Sequence, residues 1–210
     1  MTYTPLALVW SILALCVLFG AVIYFGLRTR RTQMTANLSM RAQDIWAPFA
    51  HCGWDFDSLL YGIRQDFSAT QIGMIVRDFR DEEVGRITFH TAARRGATTL
   101  ATSNGSYEAD VLPTFRRRVV LLDATNEHEA LCTFSGRMWG PLRFALAGTE
   151  TIEGTVDGRL RLAPRFAFSL AGKRIGLSQQ IGGAVNRGVL LTIPSTIPVH
   201  VRMFMLAMLA

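Results

Sequence analysis

Two arginine clusters are the part of this chain best suited to chemistry with a partner. Arg116, Arg117 and Arg118 form the densest charge run after the N-terminal segment, and Arg94 and Arg95 precede Gly96. A guanidinium is a planar fork of donors that matches phosphate and carboxylate oxygens in pairs. In a strand, alternate residues face opposite sides, so Arg116 and Arg118 share a face and Arg117 opposes them. One face of a filled barrel is core, which puts at least one of the three at a strand end or rim. These five arginines are the candidates for holding a lipid headgroup phosphate. A solvated strand face is the simpler use of the same run.

Other chemistries lack their residue patterns. His51, His90, His128 and His200 are scattered, and no CxxC or HExxH spacing occurs, so no metal site is expected. Asp55 and Asp57 make a D-x-D pair, but no calcium-binding loop follows. Ser, His and Asp are present without a G-x-S-x-G elbow, and glycines are frequent without a phosphate-binding G-x-x-x-x-G-K-S/T loop. No catalytic residue and no cofactor is assigned, and an enzyme is not expected. Basic residues do not interleave with aromatics as they do in single-strand nucleic-acid binders, so nucleic acid is not an expected partner. His200 and Arg202 are two apart, hence on different helix faces, and read as satisfied positions near a helix start.

The elements that must position these groups begin with a membrane segment. Residues 5–27, PLALVWSILALCVLFGAVIYFGL, are 23 residues without a charge, followed at once by Arg28, Arg30 and Arg31. A hydrocarbon core of about 30 Å needs roughly 20 apolar residues in a helix. The residues before it, MTYT, carry no side-chain charge, and the run ends in arginine rather than a small-residue cleavage site, so a permanent span is expected instead of a signal peptide. Lys and Arg close to a span stay cytoplasmic. The three arginines follow the span and none precedes it, which predicts the N-terminus outside and the following domain in the cytoplasm. The chain carries a formal net charge of +6, consistent with attraction to anionic lipid. Cys16 lies in the span, while Cys52 and Cys132 are far apart. In a cytoplasmic domain they are expected to be reduced thiols, at least one of them buried.

Residues 28–65 read as a juxtamembrane linker or helical segment. Its bulky groups, Trp46, Phe49, Trp54, Phe56, Leu59 and Leu60, either dock it on the domain, the commoner outcome, or sit at the bilayer interface. From about residue 70 short strand-like runs recur every 8 to 12 residues without a helical run between them. That spacing indicates roughly nine to twelve strands in an antiparallel barrel or sandwich. Asn104-Gly105 and Asp157-Gly158 are read as tight hairpin turns. Arg165-Phe166-Ala167-Phe168 alternates, with its large apolar groups on one face. Residues 199–210 are almost wholly apolar, too short to span a bilayer, and suited to filling a barrel as a helix begun by Pro198. The expected organisation is a tail over 1–4, a transmembrane helix over 5–27, the linker over 28–65, and a β-barrel domain over 66–210. The fold class is mainly β: an N-terminal transmembrane helix plus an antiparallel β-barrel around a hydrophobic C-terminal helix at 198–210.

Three passages carry a resemblance. They are the hairpin IVRDFRDEEVGRITFH, the paired strands through GRMWGPLRFALAG and GRLRLAPRFAFSLAG, and the ending RGVLLTIPSTIPVHVRMFMLAMLA. In order and architecture, residues 70–210 resemble the tubby C-terminal-like superfamily, which includes the LURP-one-related proteins and the phospholipid scramblases. The resemblance implies a twelve-stranded antiparallel barrel around a hydrophobic C-terminal helix, with lipid or phosphoinositide contact in some members. It carries over no catalytic residues. The separate N-terminal span departs from the scramblase pattern.

The expected role is a membrane-anchored binding or scaffolding module, with membrane lipid or a membrane protein as partner. The alternative places the domain in the periplasm, as a component of envelope lipid or polysaccharide transport. A reporter at the C-terminus separates the two. We expect fluorescence from a cytoplasm-dependent reporter and no alkaline phosphatase activity; the opposite pattern overturns the topology.

Overall fold

The computed structural model describes residues 5–38, 41, 45, 58–68, 70–90, 98–112, 118–126, 129–136, 140–148, 150–157, 165–181 and 188–210. Helix α1 spans Pro5–Leu38. Within it, Val9–Thr29 is 21 residues long, apolar and wholly unburied, long enough to cross a membrane. At 1.5 Å per residue α1 is about 51 Å long, well beyond a hydrocarbon core of about 30 Å. The helix therefore continues past Leu27, where the apolar run stops, and carries Arg28, Arg30 and Arg31 on its extension. The Thr29 and Thr32 hydroxyls donate to the carbonyls of Phe25 and Arg28, at 2.8 and 3.0 Å, a local bond that threonine makes inside helices.

Twelve strands follow. They are β1 (Leu59–Phe67), β2 (Gln71–Asp78), β3 (Glu83–His90), β4 (Thr98–Thr102), β5 (Gly105–Leu112) and β6 (Arg118–Asp123), then β7 (Ala130–Gly136), β8 (Leu142–Leu146), β9 (Thr151–Val156), β10 (Arg165–Leu170), β11 (Lys173–Ile181) and β12 (Gly188–Thr192). Each pairs antiparallel with the next, and β12 closes the sheet on β1 with Leu60 opposite Leu191. The result is a meander barrel, which leaves no free sheet edge. Helix α2, Val199–Leu209, lies inside it.

Alternation sets the inner wall. Met74 and Val76, Phe134, Phe144, Ile152, and Phe166 with Phe168 all join one core cluster with Val201 and Met203 to Ala207 of α2. The alternation expected for residues 165–168 is present. The Phe204 ring meets Phe144 edge-on at 6.2 Å, and Phe144 also packs on Phe134 and Phe168, at 5.0 and 6.2 Å. At one point the helix needs backbone in place of a side chain. A Cβ on Gly85 would lie 2.9 Å from Met203 Cε and 2.3 Å from the Ala101 carbonyl oxygen.

A second cluster lies on the outside of the wall. Leu59, Tyr61, Ile63, Leu177, Ile181 and Leu190 are buried there together with Ile45. Strand β12 is consequently buried on both faces, as expected of a continuous apolar run such as GVLL. Ile45 shows that the linker docks on the domain; Trp46, Phe49, Trp54 and Phe56 lie outside the described residues.

Three readings change. The barrel begins at Leu59 rather than 66, because β1 pairs with both β2 and β12. Its sequence LLYGIRQDF lacks clean alternation: its first residues are buried on both faces, and the ladder is bulged between Arg64 and Asp66. At Asn104-Gly105 the hairpin is present, but its loop is Ser103-Asn104. Gly105 already pairs with Thr102, and Asn104 keeps a negative φ. Asp157-Gly158 is not a two-residue turn, because Val156 pairs with Phe166. The tight turn with positive φ in its loop lies elsewhere, at Ala171-Gly172 (φ 50° and 77°) between β10 and β11.

The meander gives the barrel two distinct ends. At the entry end, where β12 leads into α2, the connections are 79–82, 103–104, 124–129, 147–150 and 171–172. At the far end they are 68–70, 91–97, 113–117, 137–141, 157–164 and 182–187.

Candidate functional site

Arg118 opens β6 at the far end, exposed, opposite Leu112 on one side and Ser135 on the other. This is the strand-end position expected for one member of the run. Arg94, Arg95, Arg116 and Arg117 lie outside the described residues. The strand ends that flank them are described. Segment 91–97 joins β3 to β4 and segment 113–117 joins β5 to β6, so both connect strand ends of the far end, next to the β4–β5 pair. Of the topology residues, Arg28 and Arg31 are exposed on α1; the side chain of Arg30 lies outside the described residues. The carboxylate of Asp157, just after β9, is shared by Arg165 of β10 at 3.2 Å and Arg174 of β11 at 3.3 Å.

Three polar contacts fix α2 and the entry end. The imidazole of His200, in the first turn of α2, stacks on Tyr107 of β5 with ring centroids 4.6 Å apart. Burial lowers the His200 pKa, and the carboxylate of Asp123 acts in the opposite direction. Asp123 is itself held below the usual carboxylate range by hydrogen bonds from Thr125, with further help from Asn126. At the other end of α2, an Arg64 amino group donates to the Ala210 carbonyl oxygen. A cation there satisfies a carbonyl left over by the helix and complements the negative end of its dipole. On the outer wall, the Tyr61 hydroxyl donates to Asp81. Burial and the Asp81 carboxylate both raise the Tyr61 pKa, holding the phenol protonated. Asp81 needs this support, since it sits in the β2–β3 turn with φ 65°, a conformation Asp tolerates better than most residues.

None of these contacts has a short-range signature. Each joins residues between 20 and 146 positions apart; pairing of β1 with β2 brings Tyr61 to Asp81, and insertion of α2 makes the other two. His200 and Arg202 share the start of α2 as expected. His200 has its partner in Tyr107, whereas the buried Arg202 Nε has none among the described residues, and burial lowers the Arg202 pKa.

The remaining candidates carry little chemistry. Cys132 is a free, buried thiol whose pKa burial pushes up to about 12, so it is neither a nucleophile nor a ready metal ligand at neutral pH. Cys52, Asp55 and Asp57 lie outside the described residues. Among the described residues, no group of three or more His, Cys, Asp or Glu side chains could hold a metal ion.

Because burial disfavours charged His200, the stability it contributes is present above about pH 6.5 and lost as pH falls through its lower folded value. The positive end of the α2 dipole acts in the same direction. Fragment 32–210 should therefore lose stability as the pH falls from 7 to 5. His200→Phe, which keeps a ring on Tyr107, should remove that component. Denaturant melts at both pH values check this; equal slopes for the two proteins would contradict it.

No protein-family model, curated protein or solved structure matches the chain.

Proposed function

We propose that the chain is a single-pass, membrane-anchored binding module whose barrel works at the cytoplasmic bilayer surface, where it holds anionic lipid headgroups. The supporting observation is the connectivity of the meander. The two connections that carry Arg94, Arg95, Arg116 and Arg117 join neighbouring strand ends at one end of the barrel, and Arg118 is exposed beside them. Basic residues near an anionic leaflet contribute about 1 kcal/mol each. Guanidinium forks add paired hydrogen bonds to phosphate. The span α1 holds the barrel at the surface, so modest affinity for each headgroup suffices.

A scaffolding role toward a membrane-protein partner uses the same anchor. Membership of the tubby C-terminal-like superfamily is part of this proposal: its implied architecture, twelve strands around a C-terminal helix, is the architecture of this chain. The interior is occupied by α2, which weighs against carriage of lipid or polysaccharide through the barrel. No catalytic step is assigned.

Removing α1 isolates the contribution of the barrel. Fragment 32–210 should co-float with anionic vesicles and not with neutral ones. Each of Arg94, Arg95, Arg116, Arg117 and Arg118 changed to Ala should weaken flotation by up to about 1 kcal/mol, roughly fivefold. Flotation that is indifferent to anionic lipid would overturn the reading.

A further inference from the structure

We propose that the entry mouth of the barrel holds a phosphate group on Arg202, between α2 and the β10–β11 hairpin. The site uses none of the five arginines of the anionic-lipid reading, so it goes beyond that reading and does not depend on it.

Among the described residues, Arg202 is a cation without a counter-charge. Its Nε is buried and has no hydrogen-bond partner there. The ion pairs and the cation–π contact of the described residues involve other arginines. Burial alone lowers its pKa, with no carboxylate acting against it. His200, two residues earlier, does feel the carboxylate of Asp123, so that carboxylate serves the other side of the helix. Arg64, also half-buried, has its acceptor in the Ala210 carbonyl. A buried charge destabilises a fold unless an opposite charge joins it, and buried polar atoms in native proteins are as a rule partnered. A bound oxyanion supplies both needs at Arg202.

Helical geometry places Arg202 toward one side of the mouth. It is the fourth residue of α2, which enters the barrel at this end. Two residues turn a helix by about 200°. His200 stacks on Tyr107 of β5, so Arg202 faces the opposite wall, where β11 lies six strands from β5. The β10–β11 hairpin closes there with the tight turn Ala171-Gly172. Leu170 and Ile175 flank that turn, partly buried against the core. Lys173 is exposed and pairs with Leu170 in the ladder, so the two share a face. Arg174 beside it is engaged by Asp157, whereas no ion pair among the described residues involves Lys173. A guanidinium and a rim ammonium over an apolar floor suit a phosphate. The guanidinium fork binds two of its oxygens, and the ammonium adds a point charge. A lipid headgroup and a soluble phosphate both present this group.

Thermal melts of the full chain in neutral nanodiscs test the site. Inorganic phosphate, exchanged for chloride at constant ionic strength, should raise the midpoint by about 4 °C at roughly ten times its dissociation constant. Arg202→Met keeps an apolar stem and removes the charge. Without phosphate its midpoint should equal or exceed that of the unaltered chain, and phosphate should leave it unshifted. Salts excluded from protein surfaces stabilise any fold, so an equal phosphate shift in both proteins overturns the site. A lower midpoint for Arg202→Met without phosphate also counts against it, since the protein alone then supports the charge. Lys173→Ala, at an exposed position, should weaken phosphate severalfold, and an unchanged titration contradicts the placement beside the hairpin. Nanodiscs containing anionic phospholipid separate the sources: a rise there that Arg202→Met abolishes assigns a headgroup, and a rise with inorganic phosphate alone assigns a soluble ligand. A midpoint that responds to neither sinks the proposal. Failure of fragment 32–210 to float on anionic vesicles, with the Arg202 response intact, overturns only the arginine-cluster reading.

Discussion

Burial of α2 inside the closed sheet is the interaction on which the rest of the molecule depends. Closing twelve antiparallel strands removes the sheet edges but leaves an interior that wall side chains cannot fill. About eight strands is the size at which they can. A helix with its side chains is about 10 Å across, and α2 supplies that volume from the same chain. Its six buried residues, Val201 and Met203 to Ala207, face wall on every side, so the helix needs no polar stripe. At roughly 1.5 to 3 kcal/mol for each large apolar side chain, their burial is comparable with the whole stability of a domain, about 5 to 15 kcal/mol. Gly85, backing on Met203, shows how closely wall and helix approach.

A filled interior moves function to the outside. The meander sorts its connections strictly between two ends, and the helix fixes which is which by entering at one and finishing beside Arg64 near the other. His200 on Tyr107 and Arg64 on Ala210 hold the two ends of α2 in register with the wall. On the outer surface, the cluster around Tyr61 and Ile45 seats the linker, so the anchor and the barrel are coupled through a wall contact as well as through the chain.

Much of this was legible in the sequence because the signals were local. The uncharged run before Arg28, the regular strand spacing and the apolar terminal run each state their role in composition alone. The expected filling helix at 198–210 agrees with α2 to within a residue at each end. Readings failed where a local rule met a long-range constraint. Strand β1 looks like linker because its first residues are buried from both sides and a bulge interrupts its period. Asp157-Gly158 has turn chemistry, yet Val156 pairs with Phe166, so more than two residues connect the strands. Of the five candidate arginines, Arg118 is described at the predicted strand end.

The barrel exists only when filled by its own helix. The direct measurement is the thermal melt of fragment 32–210 against fragment 32–197, followed by circular dichroism. The longer fragment should show a cooperative transition and the shorter none, collapsing instead into a loosely packed state with exposed apolar wall. A cooperative transition of similar midpoint in fragment 32–197 would contradict it.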